Sequence, residues 1–233
     1  MHTIVLEGRG PNTMSVAMLE GIVAKLDAAG DEPILLTGAG EAFSSGLDLD
    51  ALSRADASQV GDLLDAMERA TRRLFLHPAP VIAAVNGHAI AGGCLVVQCA
   101  DWRITVDDPK VRFGMTGVAL GLVYPPFVPA VFRARVPAPH VETVLMGAGR
   151  VDAREALRLG LVDEVVERDH LAARAQEVLT ERARLPRAAY ASIKRALREP
   201  AYAGVAEAHD AFREHTVPSW THAIFGSRPT PVL

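Results

Sequence analysis

Apolar residues recur along this chain in two alternating rhythms. Short apolar runs at residues 4–6, 34–37, 81–85 and 103–106 have the length and β-branched content of buried strands. Between them, longer stretches place apolar side chains at helical spacing. Over residues 14–29, Met14, Met18, Leu19, Ile22, Val23 and Leu26 share one side. A longer amphipathic helix is predicted over residues 57–76, ended by the prolines of His77-Pro-Ala-Pro80, and a short one over residues 92–99. The last third is mostly helical in pattern. Asp152-Ala-Arg-Glu155 has capping-box spacing, with aspartate in the usual serine or threonine place, and Gly160 closes that helix. Residues 161–166 read as one more strand. Helices are predicted over residues 170–184, 187–197 and 202–215, punctuated by Pro186 and Pro200. Strands alternating with helices imply an α/β fold with a parallel or mixed sheet, and no linker or repeat splits the chain. The economical division is an α/β core over residues 1–166 carrying a helical portion over residues 167–233.

Two glycine-rich loops interrupt this pattern, Ala42-Phe-Ser-Ser-Gly-Leu-Asp48 and Val85-Asn-Gly-His-Ala-Ile-Ala-Gly-Gly-Cys94. Each follows a predicted strand and leads toward a helix. Such turns leave backbone N–H groups unpaired, and a helix start adds partial positive charge. Two converging donors suit a carbonyl oxygen that takes on negative charge, as a thioester oxygen does during reaction.

Composition narrows the classes. The 233 residues are 49% hydrophobic, enough for a full core. A formal charge of −4 offers no basic footprint for nucleic acid. Two cysteines, Cys94 and Cys99, fall in one apolar segment and read as packing residues of a reducing cytoplasm. The first residues enter directly into strand-like sequence, so no signal peptide and no membrane anchor is expected. The histidines and cysteines show no metal-ligand spacing, and no metal site is expected.

The loops, their order and their surroundings resemble the crotonase (enoyl-CoA hydratase/isomerase) family. Gly10-Pro-Asn-Thr-Met14 is similar to its opening turn. Phe43-Ser-Ser-Gly-Leu-Asp48 and Asn86-Gly-His-Ala-Ile-Ala-Gly-Gly-Cys94 resemble its two oxyanion loops. Cys99-Ala-Asp101, Phe113-Gly114 with Gly121, and residues 147–166 follow in the family's order. The resemblance implies a crotonase-like ββα superhelix with a helical C-terminal region for trimerisation or as a lid. It also implies a homotrimer or hexamer, and an acyl-CoA substrate whose coenzyme A is part of the substrate rather than a resident cofactor. By position, the amides of Leu47 and Gly92 would hold the thioester oxygen, with Ser45, Gly46, Asp48, Leu49, Ala91 and Gly93 lining the substrate.

The family's hydratases carry two glutamates that handle water. In this chain those positions hold Leu95 and Gly117, and Pro125 replaces a glycine whose N–H helps hold the water. Neither leucine nor glycine transfers a proton, so hydration is not expected. His88 and Tyr124 are the remaining acid/base candidates, each weighed against a plain structural role. Asp48 is expected mainly as a helix cap, and Glu142 as a surface charge. Trp220 and Phe225, near Pro218 and Pro229, are expected to dock the C-terminal tail or cover the acyl pocket. Two other functions stay open: a non-catalytic acyl-CoA-binding homologue, and a serine hydrolase using Ser45. The latter is weak, because Glu41-Ala-Phe-Ser-Ser-Gly46 lacks the leading glycine of a nucleophile elbow.

Overall fold

The computed structural model describes residues 1–217 and Trp220. Seven strands occur among them: β1 (His2–Leu6), β2 (Ile34–Gly38), β3 (Val81–Val85), β4 (Ala89–Ile90), β5 (Trp102–Val106), β6 (Phe113–Gly114) and β7 (Glu164–Val166). Five form a parallel sheet in the order β1-β2-β3-β5-β7, and β4 pairs in parallel with β6 in a second layer. The register sets Ile4 opposite Leu36, Leu36 opposite Ala83 and Ala83 opposite Arg103. β3 lies at the centre and is buried along its whole length, which is why its sequence is continuously apolar instead of alternating. Single bridges, Met14 to Leu47 and Ser44 to Ala89, extend the second layer between the predicted glycine loops. Each turn of chain thus adds a long strand to one sheet, a short one to the other, then a helix.

The helices start where side chains can satisfy their free amides. Ser15 accepts from Met18 at the head of the Val16–Ala29 helix. Asp56 and Gln59 form a full capping box on the Ala57–Phe75 helix. At Asp152 only half of the predicted box forms: the carboxylate accepts from the Glu155 amide at 2.9 Å, but Glu155 itself pairs with Arg158 at 2.6 Å. The strand expected over residues 161–166 shrinks to β7. The amides of Leu161 and Val162 bond back to the Ala156 carbonyl and close the preceding helix after Gly160, whose φ is +74°.

Two helices bridge the middle and last thirds, Phe127–Arg135 and Ala138–Met146. Pro200 does not end its helix. The Arg187–Tyr202 helix runs through it, forfeiting one amide bond near its end, and the break comes at Gly204 with φ +74° before the Val205–His215 helix. The Leu171–Ala183 helix buries Ala175, Val178 and Leu179 and packs on β2, β3 and β5.

A buried charge cluster ties the Arg187–Tyr202 helix to the sheet. Asp101 accepts from the Val81 amide and from Lys194, both at 2.7 Å, and from Arg198 at 2.8 Å. Burial alone would raise the Asp101 carboxyl, yet the two cations hold it below the ordinary aspartate range. Arg198 also donates to the Phe75 and Cys99 carbonyls, so one side chain closes two helix ends. Among the described residues, no helix is long and apolar enough to cross a membrane.

Candidate active site

The two glycine loops are cross-braced from behind. Buried Asn12, with φ +56°, donates to the carbonyls of Ala39 and Ala42, each at 2.8 Å. The Ser44 hydroxyl donates to the Asn12 carbonyl at 2.8 Å and accepts from the Gly46 amide at 3.2 Å. Asn86, at the end of β3, donates to the Gly40 carbonyl at 2.8 Å and accepts from the Gly38 amide at 3.0 Å. The loops also bond to each other directly, through the Ile90 amide and the Ser44 carbonyl at 3.0 Å.

This bracing presses Gly46 against Gly92. At Gly46, where φ is +85°, a Cβ would stand 2.9 Å from the Gly92 nitrogen. Ala91, just before Gly92, holds φ +49° without being glycine, a strained conformation of the kind concentrated at binding sites. Met14 bonds to the Gly46 carbonyl and accepts from Asp48, which turns the intervening Leu47 amide the other way. The N–H groups of Leu47 and Gly92 make no hydrogen bond among the described residues. Nearly all buried amides in folded proteins are paired, so two neighbouring unpaired ones mark a place for an acceptor.

Both residues line one cavity of about 350 Å³. Leu64 and Met67 of the Ala57–Phe75 helix, Leu122 and Val128 make its wall largely apolar. Trp220 belongs to that wall and is fixed by a 3.0 Å bond from its indole N–H to the Val123 carbonyl. Among the described residues, two titratable side chains reach the lining, Tyr124 and Arg150. The Tyr124 hydroxyl accepts from the Gly117 amide at 3.0 Å, and burial pushes the phenol above its ordinary value. Arg150 is exposed and makes no ion pair or hydrogen bond among the described residues.

With this geometry established, the family follows from comparison. The model of the enoyl-CoA hydratase/isomerase family matches residues 2–221. The chain belongs to that family. Its fold is the crotonase fold: a hydratase/isomerase family protein from Pseudomonas syringae superposes with a TM-score of 0.86 at 26% identity, covering 91% of this chain and 93% of the other. Enoyl-CoA hydratase EchA3 from Mycobacterium ulcerans gives 0.84 at 25% identity, with the same coverage of 91% and 93%. Mouse mitochondrial enoyl-CoA delta isomerase 1 is 30% identical over 144 residues, 62% of this chain and 50% of that protein. The aligned part spans about half to two thirds of such curated relatives. The names divide between hydratase and isomerase.

The crotonase chain brings together most of the residues singled out from sequence. Ser45, Leu47, Leu49, Ala91, Gly92, Gly117, Tyr124 and Pro125 line the cavity. Gly46 and Gly93 do not. A Cβ on Gly93 would meet the Ser44 carbonyl at 2.1 Å, so its role is to let the loops touch. Asp48 also departs from the lining: its carboxylate caps the Leu49–Leu52 turn through the Ala51 amide and pairs with Arg9 at 2.8 Å, both of which hold it below its ordinary value. His88 is exposed, and its Nδ1 accepts from the Arg112 amide at 3.0 Å, outside the cavity. That bond turns the ring away from where an acid or base would act.

Leu95 is fully buried within the Gly92–Cys99 helix. Cys94 and Cys99 are also fully buried, their thiols pushed up to about 12 by burial, and Glu142 is exposed. Ser45 has no histidine or carboxylate partner among the described residues, and a serine nucleophile needs one. Phe225, Pro218 and Pro229 lie outside the described residues. Sequence reasoning missed Arg150. It follows the Gly147-Ala-Gly149 turn, where Ala148 has φ +51°, and nothing in the local pattern marks it as cavity lining.

Proposed function

We propose that this protein binds an acyl-CoA thioester and stabilises its enolate or related oxyanion with the amides of Leu47 and Gly92. The observation that carries this reading is the pair of N–H groups without a hydrogen-bond partner among the described residues, on two loops in contact and lining one cavity. One such donor is worth about 2.7–4 kcal/mol of transition-state stabilisation, because it is held in place before charge develops. Coenzyme A enters as part of the substrate, and a cytoplasmic acyl-CoA pool fits the reading.

Hydration is not the proposed reaction. A leucine sealed in the core and a glycine covered by Tyr124 stand at the positions where hydratases of this family place glutamates. The same vacancies favour a second reading, a homologue that binds acyl-CoA without turnover. Assembly as a homotrimer or hexamer is part of the proposal, supported by Ile193 and Leu197, 63% and 72% exposed on one helix. Titration calorimetry with acetyl-CoA and crotonyl-CoA, followed by turnover assays, tests the function. Affinity with product formation supports the enzyme, affinity without any product the binder, and absence of affinity removes both. Brisk hydration of crotonyl-CoA would overturn the argument from Leu95 and Gly117.

A further inference from the structure

Making an enolate from an ordinary acyl thioester requires a base to take a proton from carbon. The cavity wall presents no carboxylate, imidazole or thiol among the described residues; its two titratable groups are a phenol and a guanidinium. A guanidinium stays protonated and accepts nothing. Tyr124 is half-buried, and burial favours its neutral form, so it is an acid and not a base. Its oxygen already accepts the Gly117 N–H at 3.0 Å, which leaves the hydroxyl hydrogen free to be donated.

Resting on the thioester reading above, we propose that the substrate carries a carboxylate on its α-carbon and that the enolate forms by loss of carbon dioxide, with Arg150 positioning the carboxylate and Tyr124 returning the proton. The bond between the α-carbon and the carboxylate carbon breaks. Its electron pair moves into the thioester, placing negative charge on the oxygen that faces Leu47 and Gly92. Tyr124 then protonates the α-carbon and recovers its own proton from solvent. The sum is carboxyacyl thioester plus one proton giving acyl thioester plus carbon dioxide, with no change of redox state.

The surroundings suit each part. Leu64, Met67 and Val128 offer an apolar wall, which favours a step that converts a carboxylate into neutral carbon dioxide. Arg150 is an exposed guanidinium without an internal partner among the described residues, and it lines a largely apolar chamber. The anion it meets is either this carboxylate or a phosphate of the carrier, and the two are separable.

The test gives the purified protein malonyl-CoA and methylmalonyl-CoA in D2O and follows carbon dioxide and the acyl-CoA product. The expected result is turnover, with methylmalonyl-CoA yielding a product deuterated once at the α-carbon in a single configuration. Tyr124→Phe keeps the ring and should fold. It is expected to slow turnover at least ten-fold and scramble the configuration, which a merely structural tyrosine would not do. Arg150→Gln should raise KM for malonyl-CoA about ten-fold, leave kcat within two-fold, and leave acetyl-CoA affinity unchanged. Equal loss of affinity for both thioesters would assign Arg150 to the carrier phosphates and overturn its proposed role. Acetyl-CoA binding without carbon dioxide release from either substrate overturns the inference while leaving the thioester reading intact. Absence of acetyl-CoA binding removes that reading as well.

Discussion

The Gly117 amide donates to the Tyr124 hydroxyl at 3.0 Å, and the Tyr124 ring lies 2.7 Å from where a Cβ on Gly117 would stand. One aromatic side chain therefore fills the space that a side chain at position 117 would need, the position that the proposed reading matches to a hydratase glutamate. Gly117→Glu should consequently restore no hydration and should lower stability by about 1–3 kcal/mol through overpacking. Urea unfolding with a crotonyl-CoA assay checks both halves, and a stable, hydrating variant would refute the argument.

Adjacent glycines should respond differently to the same substitution. At Gly92 an added Cβ meets the flexible ends of Met14 and Met67, at 2.8 and 3.0 Å. At Gly93 it meets the Ser44 carbonyl of the backbone at 2.1 Å. Gly92→Ala is expected to fold with a thermal midpoint close to wild type and reduced thioester turnover. Gly93→Ala should lower the midpoint far more, since it separates the loops. Thermal melts of the two variants side by side decide the point.

Asp101 should govern acid stability. Its folded-state pKa is lowered, so its stabilising contribution is complete above the ordinary aspartate value of about 3.9 and is lost as pH falls through the lower folded value. Asp101→Asn leaves Lys194 and Arg198 buried without a counter-charge and should cost about 3–5 kcal/mol. Wild-type stability should fall steeply below about pH 4, and the variant's curve should be flatter there. Denaturation measured between neutral and strongly acid pH provides the comparison.

His88→Ala should leave turnover unchanged. Its ring bonds to the Arg112 amide outside the cavity, so removal forfeits one exposed hydrogen bond and about 0.5 kcal/mol. A large fall in kcat with unchanged stability would return this histidine to the chemistry.

Asp48→Ala should act on stability more than on catalysis. Loss of its cap on the Leu49–Leu52 turn is expected to cost about 0.5–2 kcal/mol. Equilibrium unfolding and acetyl-CoA affinity, measured together, would separate that effect from substrate contact.

Where a signal was local, it could be read from the chain. The apolar run of β3, the Gly92–Cys99 helix and the order of the glycine loops depend on neighbours within a few residues, and they stand where the pattern predicted. Where the outcome depended on tertiary context, the pattern and the structure part in identifiable ways. The strand expected from residue 161 gave way to a helix closure onto Ala156, and Pro200 was absorbed near a helix end because only one amide bond was at stake.

Sequence by itself determined that two glycine-bearing turns follow buried strands, because strand periodicity and the steric freedom of glycine are properties of short segments. Only the tertiary structure decided what those turns enclose. Packing pressed Gly46 onto Gly92, brought Arg150 and Trp220 to one cavity from distant parts of the chain, and bound His88 to Arg112 away from it. A cavity's chemistry is set by which side chains converge, and convergence depends on close packing between segments that share no local pattern.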